Sequence, residues 1–204
     1  VEEIHRARAA TPGGELFQLP LAWYSEERTW GMAPGYDRPD HDGVLRRIRR
    51  ECLFCHDAFP ALPKGADAPW APQVFPVELP RGIGCQRCHG PGSAHVDAAL
   101  ESLPEADIRK RIVNPSRLER PLRDAVCEQC HLLPATAVPG PRRLDRGDFS
   151  FRPGESLSSY LLPVDVEEAG RRPSERFEIN HHAYRLSQSP CAVDGRLHCT
   201  SCHD

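Results

Sequence analysis

The sequence predicts a mainly α chain with extensive irregular loops and little conventional core. Three observations predict it. Proline is abundant, 21 of 204 residues, and it interrupts long elements. Hydrophobic residues make up 39% and aromatic residues only 7%, so a core built from side chains alone is thin. The third observation is the placing of the nine cysteines, eight of which fall in four CxxC pairs.

The elements follow in order. Residues 1–40 hold two turn-rich clusters, TPGGE and MAPGYDRPD, around the apolar run LFQLPLAWY, which fits a strand. GVLRRIRRECLFCH, residues 43–56, fits a helix running into the first cysteine pair. Pro60, Pro63, Pro69, Pro72, Pro76 and Pro80 make residues 60–84 a long ordered loop. Residues 93–103, SAHVDAALESL, offer a serine N-cap and good helix formers. Residues 104–112 add a turn of helix, and 116–131 carry helix into the third pair. Residues 132–176 read as mostly irregular, with a short helix near 179–188. No inter-domain linker is visible, so residues 1–204 read as one continuous unit.

The formal charge of −3 offers no basic field for nucleic acid, and acidic residues offset the local cluster RRIRR at 46–50. No stretch approaches the roughly 18 apolar residues of a membrane span. The first residues, VEEIHRARAATPGG, lack the apolar centre of a signal peptide.

The pairs are Cys52/Cys55, Cys85/Cys88, Cys127/Cys130 and Cys199/Cys202, and each is followed at once by a histidine: His56, His89, His131 and His203. Histidine is about one residue in twenty here, so four coincidences by chance have odds of roughly one in 10⁵, and CxxCH is the haem c attachment signature. The chemistry explains the spacing. Two thiols add across the two vinyl groups of one haem and form thioethers, so they must lie on one side of the chain. The histidine four residues after the first cysteine shares that face and can ligate the iron. Zinc ribbons also use CxxC pairs, but they do not require a histidine after each. A thioredoxin-like dithiol occurs once, near a βαβ pattern, which is absent here. A disulfide framework would need unusual partners only three residues apart. The expected cofactors are therefore four haem c groups with their iron, and the fold is expected to be organised around them.

Each iron has a second axial position. His5, His41, His95, His181, His182 and His198 remain to fill it, and Met32 is the lone methionine. One methionine serves at most one haem, so most sites are expected to be bis-histidine. His95 lies beyond the turn Gly90-Pro91-Gly92 and cannot easily reach the far face of its own haem. It is a candidate ligand to a neighbouring one, with a surface or propionate-binding role as the alternative. His41 precedes the first predicted helix and is a second candidate. His181 and His182 are adjacent, so their side chains diverge and one of the two is expected to ligate. His5 is a further candidate, and His198 is crowded by the fourth site. Cys191 has no partner left and is expected to be a buried small apolar residue. Met32 is expected to pack rather than ligate.

CQRCHGPGSAH, IVNPSRL, VCEQCH, FSFRPGESL, FEINHHAYRLSQSPC and LHCTSCHD, with LPLAWYSEERTWGMAPGYDRPDH and ECLFCHDAFPAL, span nearly the whole chain. Together they resemble the multihaem cytochromes c of bacteria that often carry tetratricopeptide repeats. They are similar also to the tetrahaem carriers of ammonia oxidisers and to hydroxylamine oxidoreductase. The resemblance implies that His95 ligates the iron of a different haem and suggests the same role for His41. It also implies a haem-bearing segment of a longer protein.

The expected function is electron transfer along four covalent haems, with a carrier role rather than an enzymatic one. Partners would be redox proteins, other cytochromes among them, and the location extracytoplasmic: periplasm, cell surface or beyond. Two alternatives stand beside this. One is a multihaem oxidoreductase with one open haem site. The other is a subunit of a polymeric cytochrome wire, in which a residue such as His5 ligates a haem of the next subunit.

Overall fold

The computed structural model describes residues 6–8, 14–41, 43–76, 78–132, 142–167, 169–170, 172 and 181–203. The chain divides into two compact units, Val1–Ile83 and Gly84–Asp204. The sequence reads as one unit because the division carries no linker composition. It falls at the end of the proline-rich run, immediately before the second CxxCH motif.

In the first unit, β2 (Leu16–Gln18) is the central strand of a small antiparallel sheet between β1 (Arg6–Arg8) and β5 (Arg47–Ile48). Leu16 pairs with Ile48, and both side chains are buried. β3 (Leu21–Tyr24) and β4 (Thr29–Met32) form a separate hairpin, with Trp23 opposite Trp30 and their rings edge-on at 5.5 Å. The predicted strand over LFQLPLAWY is therefore two strands, broken around Pro20, which has no N–H for a ladder. The Pro20 carbonyl instead accepts from Ala33 N at 2.8 Å. Ala22, Ala33 and Tyr36 make a small core behind the hairpin.

The helix predicted over 43–56 begins later. Residues Gly43–Leu45 form a 3-10 turn and β5 follows, so α1 covers Arg50–His56 only. The pairing of Ile48 with Leu16 overrides local helix preference. α1 is the one α-helix of this unit among the described residues, so the unit is mostly strand and loop.

The loop after α1 is held by Arg50, the first residue of that helix and 0% exposed. Its guanidinium donates to Pro72 O at 2.7 Å, Ala71 O at 2.9 Å and Ala68 O at 3.2 Å. Its backbone N–H donates to Gln73 Oε1 at 2.9 Å. The loop's own backbone bonds are local turns, such as Ala66 N to Pro63 O and Ala71 N to Ala68 O, and one planar fork of donors ties its carbonyls to α1.

Most of the helix among the described residues lies in the second unit. It contains α2 (Gln86–His89), α3 (Ser93–Leu100), α4 (Glu105–Arg109), α5 (Arg120–His131), α6 (His182–Ser187) and α7 (Pro190–Val193). Ser93 is the first helical residue rather than the N-cap, a place taken by Gly92, and no side chain caps this end. The longest helix, α5, has 12 residues, and among the described residues no helix is long and apolar enough to cross a membrane. The core joins Ala125 and Val126 of α5 to Phe149, Phe151, Leu157, Tyr160 and Leu161 from the following loop.

That loop is tied by Arg146. It meets Glu155 Oε1 at 2.7 Å and donates to Ser159 O and Ser150 O, both at 2.9 Å, while its guanidinium lies 5.4 Å from the Tyr160 ring centre. Burial raises the pKa of Glu155, but the Arg146 hydrogen bond and the Arg152 N–H outweigh it and hold the carboxyl below its ordinary value. A depressed folded pKa gives stability that is present above the unfolded pKa and lost as pH falls through the folded one. The loop should therefore open early in acid, below about pH 4. Glu155→Gln should weaken it at neutral pH and flatten this acid dependence. Hydrogen exchange of residues 146–160 against pH checks it; an unchanged acid profile in the variant contradicts it.

Candidate functional site

Each CxxCH motif sits on a helical turn. The first lies inside α1. In the second, Cys85 precedes α2 and His89 N bonds Cys85 O at 2.9 Å. The third ends α5, and the fourth begins the final 3-10 turn, Cys199–Ser201, with His203 N bonded to Cys199 O at 3.2 Å. This local geometry puts the two cysteines and the histidine of a motif on one side of the turn.

None of the eight motif cysteines is buried. Cys52, Cys85, Cys88 and Cys202 are exposed; Cys55, Cys127, Cys130 and Cys199 are half-buried. Cysteine is among the residue types most often buried in proteins. His56, His131 and His203 are exposed as well, and His89 is half-buried. In each of the first three motifs a residue between the cysteines turns the other way: Leu53, Phe54, Arg87 and Gln129 are buried, while Gln86 is exposed and Glu128 half-buried. Each of the first three motifs thus anchors its back in the protein and presents its reactive face outward.

In the first unit that face borders a cavity of about 390 Å³. Cys52 and His56 line it, with Leu19, Leu21, Ala22, Ala33, Pro34, Ile48 and Leu53 as an apolar wall and Gln18, Arg46 and Arg47 as its polar lining. Its size is that of a small-molecule or cofactor site. Arg46 is positioned by Gln18 Oε1 at 3.0 Å and Pro34 O at 2.8 Å, and it stacks on Tyr36. An apolar chamber suits a flat apolar macrocycle, and its two arginines are held at the edge, Arg47 by Glu15 at 3.1 Å. Among the described residues no three His, Cys, Asp or Glu side chains converge as a metal-ion site. A haem iron takes four ligands from its porphyrin, so two imidazoles complete it.

A metal-bound imidazole needs its other nitrogen hydrogen-bonded. His89 Nδ1 lies 2.8 Å from Val113 O, and Val113 N returns a bond to His89 O at 3.2 Å. His95, on α3, has Nδ1 at 2.9 Å from Ile108 O of α4. A carbonyl only accepts, so in both rings Nδ1 carries the proton and the neutral ring keeps a lone pair on Nε2 for a metal. Gly90, at φ 74°, makes the turn between these two histidines, and its position abuts Val113 and Pro153. The FRPG segment and the GPG turn thus meet on the residue that orients His89.

His41 differs. Gly43 N–H donates to its Nδ1 at 3.0 Å, and its ring stands edge-on to Tyr36 at 5.2 Å. A backbone N–H only donates, so the neutral His41 ring carries its proton on Nε2. To ligate a metal it would have to give up the Gly43 bond.

The adjacent pair diverges as expected. His181 is 1% exposed, stacks on Tyr184 at 4.7 Å and has Nε2 at 3.5 Å from Asp165 Oδ1, whereas His182 is exposed. His198 caps the final 3-10 turn, its Nδ1 lying 2.9 Å from Thr200 Oγ1. His5 lies outside the described residues. Cys191 is exposed, not buried, because it sits on the outer side of the short helix α7. Met32 is 42% exposed, so it does not pack as a core residue; its carbonyl accepts from Tyr24 Oη.

Cys127 and Cys199 are hydrogen-bond partners across the third and fourth motifs. The Cys127 thiol donates, so its proton is held and its pKa raised, first by this bond and then by burial. The bond it receives lowers Cys199 to about 7 against the opposing effect of burial. Carbonyls of Val113 and Ile108, the cavity arginine Arg46 and the inner residues Arg87 and Gln129 carry no signature in sequence. The nearest signal is NPS, whose Asn114 side chain caps the 3-10 turn just after Val113.

Compared with known proteins, the chain matches no family model, no curated protein and no solved structure.

Proposed function

We propose that this chain carries electrons through four covalently attached haems c, held by the eight CxxC cysteines with His56, His89, His131 and His203 as proximal ligands. The observation that carries the reading is the CxxCH spacing at four places, each on a helical turn with neither cysteine buried; the first borders an apolar cavity of about 390 Å³. The chain would hold each macrocycle by two sulfurs and one imidazole. The haem supplies a one-electron couple, while the protein supplies ligands, burial and charge. Haem c is attached outside the cytoplasm, so an extracytoplasmic location follows from this chemistry. Redox proteins, other cytochromes or further copies of the chain would then be its partners.

His41 favours a second reading. With Nδ1 occupied by Gly43 N–H, it is not poised as a ligand. If its haem keeps an open position, the chain is an oxidoreductase acting on a small molecule. Carbon monoxide added to the reduced holoprotein separates the two. A carrier with all positions filled shows no spectral shift, whereas a shift in one quarter of the haem absorbance identifies the open site and overturns the pure-carrier reading.

A further inference from the structure

Helix α5 carries the third motif and is bonded to both of its neighbours in the second unit. Gln129, 4% exposed, is one of the two residues between Cys127 and Cys130. Its side-chain nitrogen donates to Arg87 O at 3.0 Å and to Val126 O at 2.7 Å. Arg87, 2% exposed, holds the matching place between Cys85 and Cys88, and its guanidinium lies 5.2 Å from the Phe149 ring centre. The second and third motifs are thus joined back to back through their inner residues. On its other side α5 reaches the fourth motif. Arg120, in its first turn, donates to Leu197 O at 3.0 Å and Ala192 O at 3.1 Å.

We propose that α5 sets the spacing of three attachment sites as one cluster. The Cys127–Cys130 site stands between the other two, and Gln129 is the residue that positions it against the Cys85–Cys88 site. This rests on the reading of CxxCH as haem attachment. Gln129 suits the task because its one amide nitrogen bonds the Arg87 carbonyl of the neighbouring motif and the Val126 carbonyl of its own helix at a buried junction, and losing it removes both bonds. Glutamate has the same shape and no donor when ionised; methionine has similar bulk and no polarity. Sites so close also feel each other's charge, because Coulomb interactions inside a protein are weakly screened. A change at the central site should therefore register at both flanking ones.

The experiment uses holoproteins. Intact mass first counts haems on the native chain; fewer than four defeats the attachment reading itself, separately from this proposal. His89→Met, His131→Met and His203→Met variants then assign each site's signal in ferric electron paramagnetic resonance spectra. Gln129→Met should keep four haems and shift the signals and potentials of the second and third sites most. Gln129→Glu should move the same two further. Should the Gln129 variants fail to accumulate, Arg120→Met tests the other side and should move the third and fourth sites. His131→Met, which raises the central potential, should itself shift both flanking potentials. Unchanged signals in the Gln129 variants, shifts spread equally over all four sites, or flanking potentials indifferent to His131→Met overturn the proposal. A merely structural role for Gln129 would lower stability without this selectivity.

Discussion

Replacing His95 by alanine should leave four haems attached and convert one of the four from low to high spin. Attachment depends on the thioether sulfurs, which the substitution does not touch. The Ile108 carbonyl fixes the His95 ring with Nε2 available, 2.9 Å away through Nδ1. Removing that imidazole takes a strong donor from one iron, which disfavours the ferric state and raises that potential. The Ile108 carbonyl also loses one of its donors while keeping Arg111 N–H at 3.2 Å, at a cost of about 1 kcal/mol. A quarter of the haem should therefore change its ferric electron paramagnetic resonance signal. If all haems stay low-spin with unchanged potentials, His95 is a helix residue that bonds a neighbouring turn and nothing more.

Arg50→Met should destabilise the first unit by roughly 1.5–3 kcal/mol, the range for losing hydrogen bonds to a charged group. Methionine keeps the apolar length of the side chain, so the loss falls on the bonds to Ala68, Ala71 and Pro72. The Ala68, Ala71 and Pro72 carbonyls would each lose a charged donor, though Ala68 O keeps Ala71 N–H and Pro72 O keeps Val74 N–H, both at 2.9 Å. Arg50→Lys should recover only part, because an ammonium does not reproduce the planar fork. Limited proteolysis within residues 60–76 and a denaturant titration check this. A variant as stable and as protease-resistant as the native chain would show that the loop holds itself.

The motif geometry was legible in sequence because it is local. Residues three and four apart on a turn share a side whatever surrounds them, so Cys52, Cys55 and His56 could be placed without knowing the fold. α5 and the proline-rich loop were legible for the same reason. The sheet was not, since β2 pairs with β5 about thirty residues on, and Ile48 is claimed by Leu16 rather than by a helix. The cluster RRIRR shows the limit most clearly. Arg46 stacks on Tyr36 beside the cavity, Arg47 pairs with Glu15 at 3.1 Å, Arg49 is exposed, and Arg50 is fully buried. Four identical side chains take different roles because of partners distant in sequence. His41 and His95 likewise look equivalent as candidate ligands, and only the backbone group beside each Nδ1 separates them.

The central claim is that four CxxCH motifs each hold a haem. Intact mass spectrometry of the denatured protein, produced in a cell that attaches haem c, tests it most directly. The account predicts the polypeptide mass plus four covalent haem additions, with Cys127→Ala/Cys130→Ala reducing the number to three. A polypeptide mass with no additions, or a native mass carrying two zinc ions, contradicts it.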